Sequence, residues 1–243
     1  IMKLEIKNVT LRIDRKLILN NVSIHLSPGE IVGLLGPNGA GKTSTFNLIV
    51  GNLRPNKGEI LLNNKKINNL SLPQRSKLGL GYLSQEPSIF RDLTVRDNIN
   101  LALENSGLSK SIVRSRREKI INEFNLNKFI DNYGYQLSGG ERRRCEIARA
   151  LSVGQNGPKY LLLDEPFAGI DPLAVNDLKN LIFKLSKNGV GILITDHNVR
   201  ETLSITYKSL VLSEGKILAY GLSSDVAKNE IVKQFYLGYD FKL

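Results

Sequence analysis

The sequence predicts an α/β protein: an antiparallel β start, then a mostly parallel sheet interrupted by a helical insert. Three observations predict it. Residues 3–13 and 17–26 alternate apolar and polar up to the turn Ser27-Pro28-Gly29, the pattern of half-buried strands. Ile31-Val-Gly-Leu-Leu35 and Tyr160-Leu-Leu-Leu163 are continuous apolar runs, as expected of strands covered on both faces. From about residue 94 to 152 the spacing turns helical instead.

Taken in order, Ile31–Leu35 runs into a glycine-rich turn. Thr43 to Val50 then has helical apolar spacing at Phe46, Ile49 and Val50. Further β signals come at 58–62 and 80–83. In the insert, Ser109 is placed to cap a helix with apolar positions Ile112, Val113, Ile120, Ile121 and Phe124. The α/β alternation then returns with strand 160–163, helix 171–187, strand 190–195, helix 198–204 and strands near 208–220. No internal repeat or linker interrupts this order.

The 243 residues, 41% of them hydrophobic, suffice for one large domain or a core with a smaller subdomain. One cysteine, Cys145, excludes an internal disulfide framework and fits a reducing compartment. The opening Ile1-Met2-Lys3-Leu4-Glu5-Ile6 alternates and carries charge, unlike a secretory leader. Apolar runs stay far below the ~20 residues that cross a bilayer, so no direct membrane insertion is expected. The net charge of +11 could mark an anionic partner surface. Lysine is scattered along the chain, however, and no aromatics interleave with the basic residues, so direct nucleic-acid binding is not expected. The densest cluster, Arg114 to Arg117, reads as a solvated helix face.

Two stretches carry chemistry. Gly36-Pro37-Asn38-Gly39-Ala40-Gly41-Lys42-Thr43, followed by Ser44, stands between an apolar strand and a helix, the context a phosphate-binding loop requires. Its glycines let successive backbone N–H groups turn toward phosphate oxygens, and the helix adds its positive N-terminal end. Lys42 would reach the β- and γ-phosphates of ATP and the Thr43 hydroxyl would ligate Mg²⁺. The second stretch, Leu161-Leu-Leu-Asp164-Glu165-Pro166, ends a buried strand on two acids, where open α/β sheets place ligands. Asp164 would anchor the metal, and Glu165 would act as general base on the attacking water.

Leu137-Ser138-Gly139-Gly140-Glu141, opening the helical run through Leu151, resembles the signature motif of ABC-type ATPases. A serine and two glycines at a helix start make a second phosphate site, which one chain does not need for a single γ-phosphate. The resemblance implies that it serves ATP held by the opposite protomer of a homodimer. Gln85 resembles the loop glutamine that contacts Mg²⁺ and water. Ala168-Gly-Ile-Asp171 resembles the loop at the dimer seam, and His197 resembles the switch histidine on the γ-phosphate. His25, by contrast, is read as structural. The implied fold is a P-loop (RecA-like) ATPase core with an N-terminal antiparallel β subdomain, residues 1–86 and 158–243. An inserted α-helical subdomain, 87–157, carries the signature. Two departures stand out. Ile13 occupies the position where the family places an aromatic residue against adenine, and Glu141 stands where many members have glutamine.

Within the family, several segments are similar to the subunits that power bacterial lipopolysaccharide export: 141–151, Asp164 to Pro172, Ile194 to Thr202, Gln85 to Arg91 and the tail Tyr236 to Leu243. This implies a peripheral protein on the cytoplasmic face of the inner membrane. Two transmembrane permease subunits would dock near Gln85–Arg91. Two alternatives stay open at this point: a branched-chain amino-acid importer subunit, and an ABC ATPase acting on nucleic acid or ribosomes. Against the latter stand the short span from Lys42 to Ser138, without a coiled coil, and the single ATPase unit.

Overall fold

The computed structural model describes residues 3–104, 107–155 and 157–241. Ile1 and Met2 of the opening segment, and Lys242 and Leu243 of the tail motif, lie outside the described residues. The chain opens with β1 (Leu4–Ile13) and β2 (Lys16–Leu26), an antiparallel hairpin whose turn residues Asp14 and Arg15 both have positive φ. With β4 (Lys57–Leu62) and β5 (Lys65–Lys66) they form a four-stranded sheet in the order β2-β1-β4-β5. The second sheet is built from β3 (Ile31–Leu35), β6 (Leu80–Leu83), β7 (Tyr160–Asp164), β8 (Gly191–Thr195), β9 (Lys208–Ser213) and β10 (Lys216–Leu222). Its order is β10-β9-β3-β8-β7-β6, parallel except for the edge strand β10.

Parallel strands are flanked by helices on both faces, and here the alternation within β7 shows it. Tyr160 and Leu162 join a core that fills the space between the two sheets around α1 (Lys42–Val50). Leu161 and Leu163 face the other way. There they meet α3 (Val95–Glu104), α4 (Lys110–Glu123), α5 (Gly139–Ala150) and α6 (Pro172–Lys187) in one continuous apolar cluster. A short α2 (Leu72–Lys77) precedes β6, and α7 (Val199–Ile205), α8 (Ser223–Lys228) and α9 (Glu230–Val232) follow β8 and β10. A π-helical turn, Lys233–Leu237, extends α9 and packs Tyr236 and Leu237 against Leu35 and Val211. These C-terminal turns are too short for a periodic signal to announce them.

Four sequence expectations are corrected. The insert is not helical throughout: between α4 and α5 only the 3₁₀ turns Asn127–Phe129 and Gly134–Gln136 are helical. Ser109 precedes α4, but its hydroxyl pairs with Ser111 and caps no backbone N–H. Ile112 is 47% exposed, since α4 buries residues only in its second half, at Ile120 and Ile121. Finally, the Arg114–Arg117 cluster is not simply solvated. Arg116 is half-buried and donates to the carbonyls of Gly154 (2.6 Å) and Val153 (2.9 Å), fastening the loop before β7. Its cost of burial is offset by carbonyl dipoles in place of an acid.

Candidate active site

The sheet delivers the site residues by strand register. β3 ends at Leu35, and the chain turns at Gly36 with φ 144°. A Cβ there would fall 2.1 Å from the Leu212 carbonyl oxygen, so only glycine fits. Gly41 enters α1 at φ 106°, against Leu19. No side chain caps α1 and no acid lies in its first turn, which leaves its leading N–H groups open to an anion. Asn38, Gly39 and Thr43 are exposed at the loop, Ser44 is half-buried and Ala40 is buried. Lys42 folds back over the loop, donating from Nζ to Gly36 O (2.6 Å) and Pro37 O (3.0 Å). Burial lowers its pKa, opposed by the charges of Glu165 and Asp164.

The acids occupy different surroundings. Asp164 is 1% exposed, and the Tyr82 hydroxyl approaches its carboxylate without well-formed hydrogen-bond geometry. Burial, followed by the neighbouring Glu165, pushes its carboxyl up to about 6, while Lys42 and Arg143 oppose this. A buried carboxylate so incompletely paired is costly alone, and it fits a site that receives a cation. Among the described residues no group of three His, Cys, Asp or Glu could hold a metal unaided. Glu165 has a positive φ of 53°, fixed by its N–H donating to Thr195 O at 2.8 Å. That twist turns its carboxylate out of the strand's alternation. Gln85 Nε2 donates to Glu165 Oε2 (3.0 Å), and His197 Nε2 lies 2.8 Å from Oε1. Gln85 and His197 are exposed, so the trio opens to solvent. The bond to Glu165 uses the amide nitrogen of Gln85 and not its oxygen.

The signature stands apart. Ser138 caps α5 in a reciprocal box: its hydroxyl accepts Glu141 N–H (3.3 Å), while Glu141 Oε2 accepts Ser138 N–H (2.9 Å). Gly139 lies close to Gly169 and Gly140 to Ala174 in the first turn of α6, which Asp171 caps by accepting Ala174 N–H (2.9 Å). Ser138, Gly140, Glu141 and Asp171 border one open cavity together with Leu173, which is 79% exposed, and no phosphate-loop residue borders it. Within one chain, then, the two glycine-rich sites do not meet. Ile13 ends β1 at 38% exposure. His25 is exposed on β2, edge-on to Tyr220.

Sequence reasoning missed Arg143. It is nearly buried on α5 and donates to the carbonyls of Glu165 and Pro166 (3.2 Å), with longer contacts to Asp164 O and Ser84 O (each 3.4 Å). An ion pair to Glu146 (3.0 Å) completes its set, and Glu146 accepts Ser88 N–H (2.9 Å). Three consecutive arginines give no sign of which one turns inward.

A phosphate loop, strand-end acids and a second capped glycine site on a helical insert define a nucleotide-binding cassette. The ABC transporter family profile matches residues 19–168, and the chain belongs to that family as an ATP-hydrolysing subunit. It is 47% identical to the lipopolysaccharide export system ATP-binding protein LptB of Acidithiobacillus ferridurans, over 94% of each chain. It is 45% identical to LptB of Escherichia coli K12, over 98% of each. The ADP conformation of MJ1267, an ATP-binding cassette of an ABC transporter, superposes with TM-score 0.86 at 27% identity, covering 98% of this chain and 99% of that one. The dimeric post-hydrolysis cassette MJ0796 bound to ADP and Pi gives 0.78 at 27%, covering 90% and 98%.

Proposed function

We propose that this chain is the ATP-hydrolysing subunit that powers extraction of lipopolysaccharide from the bacterial inner membrane for export. The observation that carries this reading is the 45–48% identity to exporter subunits over nearly the whole of both chains. Two copies would close head-to-tail around two ATP, Lys42 and Thr43 of one facing Ser138 to Gly140 of the other. The separation of the two glycine-rich sites within one chain supports that arrangement. Thr43, Asp164 and Gln85 would hold Mg²⁺ together with the phosphates, and the ion would neutralise charge developing on them. Glu165, held between Gln85 and His197, is placed to take a proton from the attacking water.

No described helix is long and apolar enough to cross a membrane, so partners would hold the chain at the cytoplasmic face. For them we propose the groove of about 330 Å³ lined by Leu72, Ser76, Tyr82, Ser88, Ala102 and Arg149. Phe90, 47% exposed, stacks under Arg149 beside it. Residues 87–157 would be a helical insert in a core of 1–86 and 158–243. The direct pairing of β6 with β7 supports this, since the chain leaves and rejoins the sheet at one place. The test is mass spectrometry of what co-purifies with the tagged chain from native membranes in mild detergent. Two permease subunits of a lipopolysaccharide exporter are expected; the membrane subunits of an amino-acid importer would overturn the cargo assignment.

A further inference from the structure

Arg75, on α2, is 1% exposed, and among the described residues it has no acidic partner. Its guanidinium spends itself on backbone carbonyls: Nη1 donates to Leu48 O (2.7 Å) and Ile49 O (2.6 Å), Nη2 to Ile67 O (2.7 Å) and Asn68 O (3.2 Å), and Nε to Leu70 O (2.9 Å). Burial, and then the charge of Arg54, lower its pKa to about 10, which still leaves it protonated at neutral pH. Leu48 and Ile49 lie in the last turn of α1, whose carbonyls have no helical partner of their own. A cation is favoured there, where the helix dipole is negative. The contact is tight. Gly51, the left-handed cap of α1, has no room for a Cβ, which would fall 2.9 Å from Arg75 Nε and 2.8 Å from Leu70 O.

The same residue faces the proposed partner groove. Arg75 lines it with its α2 neighbours Leu72, Pro73, Ser76 and Lys77, and with Val50 at the end of α1. Downstream of α2, β6 leads to Gln85. We infer that Arg75 is a positioning residue that ties the groove to the phosphate-loop helix, so that what docks against α2 shifts α1 and, at its far end, Lys42 and Thr43. Five bonds in a planar fork resist shear as a single ammonium cannot, which is why arginine stands here and lysine would not serve. The fork adds directional bonds to the apolar packing that Ile67 and Leu70 already share with Ile49 and Val50. It therefore moves them as one body.

The inference rests on the groove being the seat of the membrane partner, and the experiment separates the two. Turnover is measured for the chain alone and for its complex with the membrane subunits, unmodified and as Arg75→Lys. The expected result is that Arg75→Lys retains the KM and kcat of the isolated chain within two-fold and still co-purifies with the membrane subunits. The ratio of complexed to isolated turnover should move toward unity by roughly three- to thirty-fold. An unchanged ratio overturns the inference, and so does an equal loss in isolated and complexed chains, which is the mark of a purely structural arginine. Docking that fails in the unmodified chain overturns the groove assignment instead. Should Arg75→Lys not fold, amide exchange on the unmodified protein decides. Docking is expected to change exchange in the last turn of α1, Leu48 to Gly51, and no change there overturns the inference.

Discussion

Glu165 is held in a backbone conformation that a non-glycine residue adopts at a cost of about 1–3 kcal/mol. Its N–H bond to Thr195 and the Arg143 bond to its carbonyl maintain that conformation, and its carboxylate meets Gln85 and His197. On the proposed mechanism, Asp164 would serve the cation and Glu165 the proton. Glu165→Gln keeps the shape and both neighbours but cannot accept the proton. ATP affinity should persist, turnover should fall by ~100-fold or more, and closed dimers should accumulate on size-exclusion chromatography with ATP. Turnover equal to the unmodified chain would remove Glu165 as the base. Asp164 and Glu165 were legible in the sequence because a buried apolar run stops abruptly on two acids, whereas Gln85 and His197 were singled out only by their resemblance to the family's motifs. The positive φ of Glu165 was not legible, since nothing in Asp-Glu-Pro-Phe records that a turn rather than the strand sets its direction.

Among the elements, α5 carries the most consequence for its length. Its first turn presents the signature, and its buried face holds Arg143 and Glu146 one turn apart, 3.0 Å from each other. That pair joins the carbonyls around Glu165 to the backbone of Ser88. Arg149, one turn further on, donates to Ser88 O and covers Phe90. Breaking a buried pair leaves an uncompensated charge. Arg143→Ala should therefore destabilise the chain by ~3–5 kcal/mol in urea unfolding, whereas Arg143→Met with Glu146→Met should recover part of the loss. A double variant less stable than the single one would show that the Glu146 bond to Ser88 N–H outweighs the relief of its unpaired charge. The helical period of α5 was readable, but its inward polar face was not, because periodicity marks apolar burial only. α4 erred in the opposite sense: its pattern implied an apolar Ile112 inside and basic residues outside, yet Ile112 is exposed and Arg116 is bonded to the loop at 153–154.

At the scale of the molecule, the apolar cluster behind the sheet does not stop at the edge of the helical insert. Leu83, Leu161 and Leu163 from the strands join Val95, Ile99, Phe124 and Ile147 from the insert, and Cys145 is fully buried within the same cluster. Burial first, with Glu146 adding to it and Arg149 opposing, pushes the Cys145 thiol up to about 12. Alkylation requires the thiolate, so the native protein should resist iodoacetamide at pH 8, while the unfolded chain, near an ordinary thiol pKa of about 8.5, labels readily. The folded pKa is the raised one. The buried thiol's contribution to stability is thus intact below about pH 8.5 and is lost as pH climbs toward 12. With one core shared between sheet and insert, labelling of Cys145 and loss of the β signal in circular dichroism should rise at the same urea concentration. If labelling rises well before the β signal falls, the insert opens as its own unit, and the continuous cluster does not bind it to the sheet in a single cooperative transition.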